Sequence, residues 1–120
     1  SSILLVYPVL LLLPFRRKLQ MCIGARPSGY LIAHIRVHDK DAFEEFKKLS
    51  GAAIAKYNGK VLVRNPSPDH REGGAKGLAI LIEFESYEAA KSFYESDAYT
   101  EARAVRETIS DTDLILVDGL

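Results

Sequence analysis

The sequence predicts an α+β domain over residues 29–120, in the order strand–helix–strand–strand–helix–strand. Three observations carry that reading. Four short runs alternate apolar and polar residues or are continuously apolar, as strands do. Between them, apolar residues recur at spacings of three and four, as on one face of a helix. The single long stretch rich in Asn, Pro, Asp and Gly falls between the two middle strands, where a connecting loop belongs.

Gly29 to His38 is the first strand, with Pro27 and Gly29 before it and Asp39 and Asp41 after it. Alternation gives it an apolar face of Leu31, Ala33, Ile35 and Val37. The other face is mixed: Tyr30, Ile32, His34, Arg36 and His38. Asp41-Ala42-Phe43-Glu44 has capping-box spacing, with Asp at the cap. Phe43, Phe46, Leu49, Ala53, Ile54 and Tyr57 then form the buried stripe of the first helix, and Asn58-Gly59 ends it. Lys60 to Arg64 is a short strand, and Asn65 to Lys76 is a loop by composition. Gly77 to Phe84 is the most hydrophobic strand and therefore central. Glu85-Ser86 opens a second helix that buries Tyr87, Ala90, Phe93 and Tyr94. Ser96-Asp97 interrupts it, and Asp97 caps a short third helix carrying Tyr99, Ala102, Val105 and Ile109. Thr112 to Asp118 is the last strand.

This order is the ferredoxin-like pattern, a four-stranded antiparallel sheet with its helices on one face. The alternate parity gives the other face Ile32, His34, Leu62, Arg64, Ala79, Leu81, Glu83, Leu114 and Leu116. That set is too apolar to meet water. A second sheet packed against it accounts for the pattern, and two subunits joined in this way form a dimeric α/β barrel.

Composition narrows the function. The chain carries 16 basic and 16 acidic residues and has no net charge, which argues against nucleic-acid binding. Cys22 is the only cysteine, so no intramolecular disulfide or Cys-based metal site forms, as suits a reducing cytoplasmic setting. Residues 1–28 are set apart as an N-terminal extension. Its run Ile3 to Phe15 is shorter than the roughly 20 apolar residues of a spanning helix. Pro8 and Pro14 interrupt it, and Arg16-Arg17-Lys18 follows rather than precedes it. A weak anchor, an arm that docks on the domain, and sequence upstream of a start at Met21 are the three readings, and the last is preferred. Membrane insertion is not expected.

The ordered set Tyr30-Leu31-Ile32-Ala33-His34, Lys56-Tyr57-Asn58-Gly59-Lys60-Val61-Leu62-Val63-Arg64, Ile82-Glu83-Phe84, Tyr87-Glu88-Ala89-Ala90, Phe93-Tyr94-Glu95-Ser96 and Tyr99 resembles the domain-of-unknown-function family 1330. The resemblance runs over residues 29–119. It implies the ferredoxin-like fold and the dimeric barrel, and no established activity. Related barrels include cofactor-free monooxygenases, isomerases of small ring lactones and haem-degrading enzymes. One departure bears on the pocket. The family often has an aromatic residue after the glutamate-glycine of the middle loop, whereas Glu72-Gly73 is followed here by Gly74 and Ala75. A loop lining the pocket is then smaller or looser.

His34, Arg64 and Glu83 share the helix-free face by parity and point into such a barrel. Paired Arg64 and Glu83 would offset the burial of their charges. In a catalytic reading His34 is the general base or hydrogen-bond donor, Arg64 clamps a carboxylate or enolate, and Glu83 orients one of them. The alternative is a buried polar network that fixes sheet register or the dimer. Tyr94 and Tyr99 are candidate ligand contacts, although rings on helices more often fill core. Arg103 and Arg106 could reach an anion, but a solvated face is preferred for them. No metal is expected, since residues four apart on one strand lie about 13 Å apart. No cofactor is expected either: Gly73-Gly74 and Gly77 join two strands and open no phosphate-binding helix. The function expected is a homodimeric module that binds a small anionic or carbonyl ligand, or simply assembles. The alternative is a cofactor-independent isomerase or monooxygenase-like enzyme acting on a small organic acid or carbonyl compound.

Overall fold

The computed structural model describes residues 27–120. The readings of the apolar run, the basic triplet and Cys22 lie outside those residues. The elements are β1 (Gly29–Val37), α1 (Lys40–Lys56), β2 (Lys60–Asn65), β3 (Leu78–Phe84), α2 (Tyr87–Glu95), α3 (Asp97–Ile109) and β4 (Ser110–Asp118). The strands form one antiparallel sheet in the order β2-β3-β1-β4. The long hydrophobic strands β1 and β3 occupy its centre, as their composition requires, and the helices cover one face.

Local chemistry sets the boundaries. α1 starts one turn-half earlier than the capping box suggested. Asp39 is the N-cap, and its carboxylate accepts from the Ala42 N–H at 3.1 Å. At the other end Asn58, rather than Gly59, takes the left-handed conformation, with φ of 57°. The Gly59 N–H then donates to the Ile54 carbonyl at 2.8 Å, closing a Schellman-type end. The α2–α3 break is made by Ser96 and not by Asp97. The Ser96 hydroxyl donates to the Phe93 carbonyl at 2.6 Å and accepts from the Tyr99 N–H at 3.1 Å, so one side chain ends one helix and starts the next.

The core lies between the helices and the sheet. Leu31, Ala33 and Ile35 of β1 meet Ile82 and Phe84 of β3 under Phe43, Phe46, Ala90 and Phe93. Phe84 and Phe93 are fully enclosed, with ring centroids 4.8 Å apart, and Phe93 also packs on Tyr99 at 4.7 Å. Truncating either Phe to Ala removes about 3–5 kcal/mol.

The register corrects the parity reading of two strands. Leu114 and Leu116 pair with Ala33 and Leu31, so they face the helices, and Ile115 and Val117 occupy the open face. On β2 the pairing slips by one residue between Val61 and Val63. A bulge inserts an extra residue and reverses the parity beyond it. Val61 pairs with Ile82 and Arg64 with Ile80, both on the helix side, while Val63 joins Leu81 on the open face. The open face therefore carries Tyr30, Ile32, His34, Val63, Leu81, Glu83, Ile115 and Val117, and it is still largely apolar.

Candidate ligand-binding site

The trio expected on the open face does not assemble. Arg64 lies on the helix side of the sheet because of the bulge. His34 pairs with Ala79 and Glu83 with Tyr30, so four residues of β3, about 13 Å, separate the two. Glu83 accepts a hydrogen bond from the Tyr30 hydroxyl at 3.2 Å. His34 has the His70 ring 6.4 Å away, centroid to centroid. Neither residue contacts Arg64, so the expected Arg64–Glu83 pair is absent.

The candidate tyrosines divide. Tyr94 is half-buried, its hydroxyl accepts from the Arg103 guanidinium at 3.0 Å, and that guanidinium also lies 5.4 Å over its ring. Arg103 in turn donates to Glu107 at 2.9 Å, a bond that raises its affinity for the proton further. Tyr99 is buried and lines a cavity.

That cavity, about 580 Å³, lies between α1 and the sheet. Its floor is Leu31, Ala33 and Ile35 of β1 with Ile80 and Ile82 of β3, and its roof is Phe43, Phe46 and Ile54 of α1. The same helix packs along α3, which closes the cavity on that side with Tyr99 and Arg106. Its size is that of a site for a small organic molecule.

One charged group is enclosed in its wall. Arg106 of α3 is 4% exposed, and its Nε and Nη1 are sealed from solvent with no hydrogen-bond partner among the described residues. Its guanidinium carbon lies 5.7 Å from the Phe46 ring and 5.8 Å from the Tyr99 ring. Such stacking is worth about 0.5–2 kcal/mol per ring. Each unmade buried hydrogen bond costs about 1–3 kcal/mol. The rings alone do not settle this charge. Burial pushes the Tyr99 phenol above its ordinary 10.0, and the Arg106 charge beside it pulls partly back.

The solvated-face reading of Arg106 is thus overturned, and the signal for it was present in the sequence. Tyr99, Ala102 and Arg106 recur at three and four, which is the buried stripe of α3, and Ile109, partly buried, continues it. Val105, placed on that stripe by the sequence reading, is only partly buried. Among the described residues no group of three His, Cys, Asp or Glu side chains is placed to hold a metal, and no helix is long and apolar enough to cross a membrane.

Fold and cavity together define a ferredoxin-like α+β domain with an apolar pocket under its first helix. The chain belongs to the family described as domain of unknown function DUF1330, whose model matches residues 28–120. No curated protein matches it. Among solved structures it is similar to a protein of unknown function from Rhodopseudomonas palustris, at 18% identity and a TM-score of 0.61 over 88% of this chain and 92% of that one. It is similar to a dimeric protein of unknown function with a ferredoxin-like fold from Bacteroides fragilis, at 13% identity and a TM-score of 0.53 over 76% of this chain and 95% of that one. A third is SnoaB, a cofactor-independent oxygenase from Streptomyces nogalater, at 14% identity and a TM-score of 0.55 over 78% of this chain and 94% of that one. At these identities the likeness is one of fold.

Proposed function

We propose that this domain is a homodimeric module that binds a small organic anion in the cavity beneath α1. The observation that supports it is Arg106, a buried guanidinium with unmade hydrogen bonds in the wall of an apolar cavity. A carboxylate or enolate is the partner such a fork suits. Its approach draws the Nε–Nη1 edge into the cavity in exchange for loose stacking on two rings, while the ligand's apolar body replaces cavity void with contact. Tyr99 sits on the same wall as a hydrogen-bonding and stacking group. Binding rather than turnover is the favoured reading, because His34 and Glu83, the expected acid–base residues, lie on the other face of the sheet from this cavity and from Arg64.

The test is titration calorimetry with alkyl and aryl carboxylates of increasing size. Saturable binding that is lost in Arg106→Met supports the reading. Binding unaffected by that substitution, or none at millimolar ligand, refutes it.

The homodimer rests on the open face. Ile115 is 55% exposed there, beside Ile32 and Val117. A second copy supplies the sheet such a face lacks, and the similar protein from Bacteroides fragilis is dimeric. Light scattering at micromolar concentration is expected to give twice the chain mass. Ile115→Lys is expected to give a folded monomer, since a residue this exposed contributes little to the fold. A wild-type monomer would remove the argument.

A further inference from the structure

We propose that the anion bound in this cavity is a dianion, with one carboxylate on Arg106 and a second anionic group at the rim on Arg64 and Lys40. This rests on the reading of the cavity as an anion site and specifies its ligand.

Charge is distributed unevenly around the cavity. The whole chain is neutral, with 16 charges of each sign. The cavity lining nevertheless has five cations, Arg36, Lys40, Lys47, Arg64 and Arg106, against the single carboxylate of Glu44. Glu44 is already held by Lys47 at 2.9 Å, and Arg36 is held by Asp113 at 3.1 Å. Arg64 and Lys40 have no carboxylate partner among the described residues. Both are exposed, at the end of the cavity where α1 begins and β2 ends.

Arg64 owes its place to a specific irregularity. Without the slip between Val61 and Val63 it would point to the open face of the sheet. The bulge turns it to the cavity side, a known use of bulges beside binding sites. The register places it two strands from Ala33 on the cavity floor, about 10 Å away. Lys40 lies six residues before Phe46, the ring on which Arg106 stacks, or about 9 Å along α1. Arg64 and Lys40 thus stand at the rim of the same apolar cavity whose wall encloses Arg106. An apolar spacer with an anionic group at each end fits that layout, and a monoanion leaves the rim pair unused.

The probes are hexanedioate, octanedioate and decanedioate, each titrated by calorimetry into the full chain against the monoacid of equal length. The best-fitting diacid is expected to bind about three- to tenfold more tightly than its monoacid, the range that solvent-exposed pairs supply. That advantage is expected to shrink at high salt. In the double variant Arg64→Gln, Lys40→Gln it is expected to fall to within about twofold of unity. Arg106→Met is expected to weaken both ligands alike. If monoacids bind through Arg106 but no diacid binds better, or the advantage survives the double variant, the dianion proposal is overturned and the anion site stands. If neither class binds, both are overturned.

Discussion

Replacing Arg106 by Met separates what the residue does for folding from what it does for a ligand. In the unliganded protein Arg106 has two sealed nitrogens, Nε and Nη1, without hydrogen-bond partners. At about 1–3 kcal/mol each, these cost the folded state about 2–6 kcal/mol. Its stacking on Phe46 and Tyr99 returns about 1–4 kcal/mol. Methionine keeps the long apolar stem and a sulfur–aromatic contact worth up to about 1.5 kcal/mol. The balance favours the variant by on the order of 1 kcal/mol, in line with the replacement of buried charges by apolar groups elsewhere. For a domain of this size that is a rise of about 4–8 °C in Tm. Calorimetric melting of the two proteins without ligand measures it. Binding moves the other way: removing one partner of a buried charge pair loses about 2–5 kcal/mol, or about 30- to 4,000-fold in Kd. A more stable protein that no longer binds is the expected result. A fall in Tm of several degrees would refute the reasoning, because it would mean that Arg106 is held for packing and that its unmade bonds matter little.

Other predictions concern the surrounding structure. Burial raises the Tyr99 phenol above 10.0, so the unfolded chain loses this proton first as pH rises. The stability tied to the neutral phenol is complete below pH 10.0 and is lost as pH climbs toward the folded value. Chemical denaturation from pH 9 to about 11 is expected to show this fall, and Tyr99→Phe to reduce it. Gly77 at the cavity edge has φ of +96°, and a Cβ there would stand 2.3 Å from the Ile35 carbonyl oxygen. Gly77→Ala therefore combines left-handed strain with a backbone clash, and its unfolding free energy from chemical denaturation is expected to drop by more than the roughly 1 kcal/mol of the strain alone.

The sequence by itself determined the order of elements, the antiparallel sheet, the central place of β3 and most of the helix-facing core. Those features follow from local periodicity, and periodicity is written in consecutive residues. The apolar character of the open face was legible for the same reason, although β4 was read one residue out of phase. A run such as Leu114-Ile115-Leu116-Val117 is apolar at both parities, and only pairing with β1 decides which residues face the helices. Arg64 went to the wrong face for a related cause: a bulge is a property of two strands together, and no single strand announces it. Tyr99 was found as a site candidate because it is aromatic. Arg106 was set aside because arginine is ordinarily solvated. Its place on the stripe of Tyr99, Ala102 and Ile109 was in the sequence, but the cavity that gives that place meaning was not. That cavity is walled by α1, the sheet and α3, elements up to some fifty residues apart in the chain, and only tertiary packing brings them together.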